Sequence, residues 1–159
     1  MLSKEYIAGF IDGEGYLGIM KMKVVNRNTP PYRHIVAIKI AQRTREDKVL
    51  RDIQAQYGGR IEYRKFSKTK DQADATTLSF INRVEVKNLL DNIGKYLVVK
   101  QKQSEVIKEF LALNKMPTGR NTEDGKKEKL KQVEYDKREN LYQKIIKLNR
   151  VGKGLAETK

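Results

Sequence analysis

The sequence predicts an α+β domain with an antiparallel sheet, its elements ordered αββαββα and followed by further helices. Two observations carry that prediction. Stretches 16–25 with 32–42, and 60–66 with 75–81, alternate apolar and polar residues and are joined by polar, turn-rich connections, as hairpins are. Segments with apolar residues at helical spacing stand before, between and after those hairpins. At 159 residues the chain is long enough for one domain with a real core. The core is expected over 1–115, with a charged helix and tail over 116–159.

In the first segment Ser3 is a good N-cap and Glu5 brings negative charge to the first turn. An apolar run follows until Gly13 and Gly15 end it, so the helix finishes by presenting Glu14. Tyr6, Ile7, Phe10 and Ile11 are expected to anchor it, while Ala8, Gly9, Asp12 and Gly13 share a flank nearly bare of side chain. Two backbones could approach closely there.

The strand from Tyr16 has an ambiguous end, because Lys21 and Lys23 share parity with the core residues Leu17 and Ile19. Either the strand overruns the core or a bulge shifts its register. Residues 26–31 read as a loop. In the next strand His34, Val36, Ile38 and Ile40 form the core face; Arg33, Ile35, Ala37, Lys39, Ala41 and Arg43 form the other. Thr44 and Asp47 resemble a capping box for a helix to Tyr57, which Gly58-Gly59 stops. After the second hairpin, Asn82 opens a helix through Ile93 with Val86, Leu89, Leu90 and Ile93 as its stripe. A helix over 100–114 follows, then a break at 117–125, a long charged helix over 122–149 docked by Leu141, Ile145 and Leu148, and a frayed tail.

Composition removes several chemistries. Without cysteine there are no disulfides or thiolate metal sites, and His34 alone makes a histidine zinc site or a Ser-His-Asp triad untenable. Any reaction must run on carboxylates, lysines and amides. The net charge of +14 is the footprint of a polyanion partner, and 16–83 alone carries 15 basic against 6 acidic residues. No stretch is apolar enough to span a bilayer and no secretory signal is visible, so the expectation is an intracellular protein of the cytoplasm or nucleoid, not secreted and with no membrane partner.

Phosphodiester hydrolysis needs a nucleophile made from water and neutralisation of charge on the phosphoryl oxygens. Mg²⁺ does both when held by hard oxygens, which the Glu14 carboxylate and Gly13 carbonyl offer; other divalent cations could substitute. One carboxylate makes a weak site. Two, delivered by a helix packed through its small flank (Ala8, Gly9, Asp12, Gly13) against a second copy, make a good one.

The stretch Ile7-Ala8-Gly9-Phe10-Ile11-Asp12-Gly13-Glu14-Gly15 closely resembles the nine-residue signature of the LAGLIDADG homing endonucleases. A single copy is present, so the resemblance implies a single-repeat, homodimeric member. It makes Glu14, in place of the commoner Asp, the catalytic metal ligand, and gives Asp12 a structural hydrogen-bonding role. It also implies that Gln42, at a strand end, positions the attacking water, and that Lys100 stabilises phosphate charge, with Lys102 as alternative. Some members of that family carry a basic residue shortly after the glutamine; the resemblance puts Glu46 at that position here, so Arg43 or Arg45 would have to substitute.

The four-stranded antiparallel sheet would be the DNA-binding surface, since a β-ribbon fits the major groove. Arg33, Lys39, Glu62, Arg64, Thr77 and Ser79 can read base edges; Arg27, Arg43, Lys68 and Lys70 suit phosphates; Lys21 and Lys23 extend the basic surface. The expected function is therefore a site-specific endonuclease making double-strand breaks in a long pseudo-palindromic DNA site. The resemblance further implies minor-groove cleavage with short 3′ overhangs and an origin in a mobile intron or intein. The competing expectations are a non-cleaving module on the same scaffold, either a maturase binding intron RNA or a DNA-binding regulator, and a basic ribosome-associated protein.

Overall fold

The computed structural model describes residues 1–23, 32–65, 74–113 and 132–150. Helix α1 (Lys4–Glu14) leads into strand β1 (Gly15–Lys23), which pairs with β2 (Tyr32–Arg43). A 3-10 turn (Thr44–Glu46) precedes α2 (Lys48–Tyr57); then come β3 (Arg60–Arg64), β4 (Ala75–Phe80), α3 (Arg83–Ile93), a second 3-10 turn (Gly94–Tyr96), α4 (Gln101–Ala112) and α5 (Gln132–Arg150). The sheet is antiparallel throughout, in the order β1-β2-β4-β3. This is the α+β arrangement that the alternating and helical patterns predict. The loop 26–31, the break at 117–125, the first ten positions of the predicted charged helix and the tail lie outside the described residues.

One sheet face carries Leu17, Ile19, Val36, Ile38, Ile40, Leu78 and Phe80, all buried in a core shared with the apolar sides of the helices. Ile7 and Ile11 of α1, Leu50 and Ile53 of α2, the predicted stripe of α3, and Ile107 and Phe110 of α4 close over it. Each such side chain contributes roughly 1.5–3 kcal/mol on burial. Ser3 caps α1, its Oγ accepting from the Tyr6 amide at 3.1 Å, and the Asn82 side chain caps α3 by accepting from the Val84 amide at 2.9 Å. At the end of α2, Gly58 and Gly59 take φ of 81° and 90°, which L side chains rarely adopt. A Cβ on Gly59 would also sit 3.0 Å from both Leu78 and Phe80.

Two local expectations are corrected, one open alternative is resolved, and α5 carries a buried charge. Thr44 and Asp47 form no capping box: Asp47 makes no cap bond, and its carboxylate instead takes hydrogen bonds from Arg51 at 3.1 and 3.2 Å and from the buried Thr76 hydroxyl at 3.2 Å. The β1–β2 register runs unbroken from Gly15↔Ile40 to Lys23↔Tyr32, so β1 has no bulge and overruns the core. On α1, Ala8 is fully buried, while Tyr6 is exposed and stacks on the half-buried Phe10 at 6.3 Å. Ala8 is small enough to let α1 sit close on its neighbours, a role that spacing alone does not separate from an open flank. Finally, Arg138 of α5 is buried, with its guanidinium 5.4 Å from the Phe110 ring.

Helix α5 covers the overrun of β1. Leu141 and Ile145 dock its stripe, and Glu139 takes Lys21 at 2.7 Å and His34 at 3.0 Å. Near its end the Asn149 side chain donates to the Leu17 carbonyl at 3.0 Å, filling a bonding position of β1. Because β1 has a neighbour on one side only, this contact covers a sheet edge.

Candidate functional site

The site grows from the junction of α1 and β1. Glu14 is the last residue of α1 and Gly15 the first of β1, with no residue between them. So abrupt a change of direction crowds the backbone: a Cβ on Gly15 would lie 2.5 Å from the Ile11 carbonyl oxygen and 2.9 Å from the Ile11 side chain. Glycine there lets the helix stop at the carboxylate. Glu14 is exposed and has no hydrogen bond or ion pair among the described residues. Gly13 beside it is exposed, with nothing within 4 Å of an added Cβ, and the same holds for Gly9 one turn earlier. The open flank of α1 is thus Tyr6, Gly9 and Gly13, and Ala8 is not on it.

Asp12 turns away from that flank toward the segment leading into α4. Its carboxylate accepts from the backbone amides of Val98 at 2.7 Å, Val99 at 3.2 Å and Lys100 at 2.9 Å. The Lys100 ammonium in turn donates to the Asp12 carbonyl. Lys100 is thereby brought to the end of α1, two residues from Glu14, although 86 positions separate them in sequence. Lys102 is exposed one position inside α4. Gln42 lies two residues beyond Ile40, the register partner of Gly15, so the strand glutamine stands at the same end of the sheet as Glu14.

Among the described residues no three His, Cys, Asp or Glu side chains gather into a metal site. A single protomer offers one open carboxylate with the Gly13 backbone next to it. That hard-oxygen donor fits Mg²⁺, which keeps much of its water and uses one or two carboxylates.

The outer sheet face follows the register. Tyr16, Lys39, Ser79 and Arg60 form one row across the strands; Ala41, Thr77 and Glu62 the next; Arg43, Ala75 and Arg64 the last, with Arg33 opposite Met22 at the far end. Arg33, Arg43, Glu62 and Arg64 are exposed, and Lys39 and Thr77 half-buried. Ser79 is buried between Lys39 and Arg60, so it offers less to a ligand than its parity suggests. Glu62 pairs with Arg60 at 3.3 Å; Arg60 belongs to this face by the same alternation as Glu62 and Arg64 and was legible from it. The Tyr16 ring lies over Gly18, where a Cβ would come within 2.7 Å of three ring and hydroxyl atoms.

Lys21 is not on this surface. Its parity turns it toward the helices, where Glu139 binds it and the Tyr142 ring lies 4.6 Å from its ammonium. Lys23 shares that parity and is exposed at the strand end. Arg27, Lys68 and Lys70 lie outside the described residues.

The fold that carries this site is shared with solved homing endonucleases. Over 91% of this chain and 80% of the other, it superposes with a TM-score of 0.70 and 18% identity on I-CvuI, crystallised with its DNA target. I-TnaI, also a homing endonuclease, gives 0.66 and 20% over 96% of this chain and 97% of that one. An archaeal intron-encoded homing endonuclease complexed with DNA gives 0.66 and 19% over 91% and 82%. No curated protein matches the chain. The family model described as LAGLIDADG endonuclease matches residues 7–114, and the chain belongs to that family.

Proposed function

We propose that the protein is a homodimeric, Mg²⁺-dependent, site-specific DNA endonuclease that cuts both strands of a long pseudo-palindromic site and is encoded in a mobile intron or intein. The observation that carries the reading is the open Glu14 carboxylate at the end of α1, with Lys100 drawn to the same place and Gln42 at the adjoining strand end.

In this reading α1 packs against its copy through Gly9 and Gly13, with Tyr6 beside them, and each protomer contributes one Glu14. A two-fold arrangement of that kind matches a pseudo-symmetric target. When bound, Mg²⁺ supplies activation of water and charge neutralisation at the scissile phosphate. Glu14 and the Gly13 carbonyl would hold it. Gln42 orients the attacking water through its amide, and Lys100 meets charge that builds on the phosphoryl oxygens. Arg33, Lys39, Glu62, Arg64 and Thr77 face the bases, while Arg43 contacts phosphate. Family membership and the DNA-bound structures of the structural neighbours support this assignment of partner.

The test is a cleavage selection from a randomised duplex library with Mg²⁺, repeated in EDTA. Enrichment of one pseudo-symmetric duplex, cut only with Mg²⁺, is the expected result. Duplex retention without metal-dependent cuts would favour a binding module on the same scaffold.

A further inference from the structure

We infer that Asp12 is a positioning residue that holds Lys100 in the reacting geometry, an inference that rests on the reading of Lys100 as part of the cleavage chemistry. Its carboxylate spends both oxygens on three successive backbone amides, those of Val98, Val99 and Lys100, at 2.7, 3.2 and 2.9 Å. Its carbonyl receives the ammonium of that same Lys100. One residue of the signature helix therefore fixes the lysine at both ends, backbone and side-chain tip.

Two features separate this from ordinary fold support. Two of the three bonded amides, those of Val98 and Val99, precede the N-cap Lys100 of α4, so they lie outside the orphan donors of a helix that a cap normally satisfies. Val98 and Val99 are also 81% and 71% exposed, so holding them adds little apolar burial. What the three bonds fix is where Lys100 starts. The ammonium then lies against the backbone one residue before Gly13 and two before Glu14, so the lysine and the metal-binding carboxylate share one rigid support. A long side chain held this way loses little freedom when a phosphate arrives, which is the condition for preorganised charge stabilisation.

The rival is that Lys100 merely binds a terminal helix carbonyl, as basic residues near helix C-termini do. Asp12→Asn, Lys100→Met and the double variant distinguish the two, using the duplex that the wild-type protein selects from a randomised library. Asp12→Asn should lower the single-turnover cleavage constant about tenfold to a hundredfold while the dissociation constant for the duplex stays within about threefold. The double variant should cleave no more slowly than Lys100→Met, because both changes remove the same contribution. Losses that multiply, or a fall in cleavage that merely tracks lost affinity and melting temperature, would overturn the inference.

If Asp12→Asn does not fold, Val98→Pro removes one of the three donors with both side chains intact, and the same non-additivity with Lys100→Met is expected. A second arm needs no target: the lysine ammonium NMR signal of Lys100 should be protected from exchange in the wild type and lost in the variant, with the backbone spectrum otherwise retained. A Lys100 signal unchanged by the substitution overturns the positioning role. If the wild type selects and cuts no duplex, the endonuclease reading fails by itself, and the NMR arm still decides whether Asp12 holds Lys100.

Discussion

Lys21 on the first strand and Glu139 on the last helix meet at 2.7 Å, 118 positions apart in the chain. The same carboxylate takes His34 on the neighbouring strand at 3.0 Å. Two strands that overrun the core are thus tied to α5 through one glutamate, with the Tyr135 and Tyr142 rings against His34 at 5.3 and 5.7 Å.

That junction makes α5 docking sensitive to acid. Burial pushes the Glu139 carboxyl up, but hydrogen bonds from Lys21, Gln143 and His34 outweigh it and hold the group at about 2. A lowered carboxylate contributes stability that is present above its unfolded value of 4.5 and is lost as pH falls toward 2. Burial drives His34 below its ordinary 6.5, against the pull of Glu139. Below that pH the unfolded chain takes up a proton that the folded one resists, so this group too costs stability in acid. Protection of the α5 amides, taken as the intrinsic exchange rate at each pH over the observed one, should be greatest above about pH 7, fall as pH drops through the histidine range, and fall again below 4.5. Glu139→Gln should remove the lower step; protection unchanged from pH 7 to 4 would contradict the assignment.

The open flank of α1 gives a clean probe of self-association. An added Cβ at Gly9 meets nothing within 4 Å, so Gly9→Leu should leave the melting temperature of the isolated protomer unchanged or raise it. A bulky side chain there would keep two α1 backbones apart. Analytical ultracentrifugation should show the wild type as a dimer on its duplex and the variant as a protomer, with double-strand cleavage lost. A fully active Gly9→Leu dimer would place the interface elsewhere.

Arg33 and Lys39 belong to the same outer sheet face but to different environments, exposed at the far end and half-buried in a central row. Lys39→Ala should relax preference at particular base pairs, at about 1–3 kcal/mol per position. Arg43→Ala should weaken all duplexes alike and flatten the dependence of log affinity on log salt by about one unit. Lys21→Ala serves as the control. It should loosen α5 without altering base preference, since its ammonium is engaged by Glu139 on the helix side.

Local pattern made most of this fold legible. Alternation in Tyr32–Arg43 located a strand with His34, Val36, Ile38 and Ile40 inward, as observed, and the α3 stripe is buried at all four predicted positions. Glu14 was legible for the same reason: an apolar helical run stopped by glycines must end on its last side chain. What pattern did not reveal was set by partners distant in sequence. Parity placed Lys21 on the core side, but only α5, more than a hundred residues later, decides that it meets Glu139. Ala8 and Gly9 are both small, and packing around α1, not size, puts one in the core and leaves the other open. Asp47 reads as a cap until Thr76, 29 positions away, and Arg51 claim its carboxylate. The contact between Asp12 and the segment before α4 has no signature in local periodicity.

The most direct measurement is single-turnover cleavage of the selected duplex by wild type and Glu14→Gln at saturating protein with Mg²⁺. Removing the charge while keeping the side-chain length should leave duplex affinity within a few-fold and lower double-strand cleavage by at least about a hundredfold, in line with loss of one preorganised charge-stabilising group. A Glu14→Gln protein that cuts both strands at close to the wild-type rate would contradict the account.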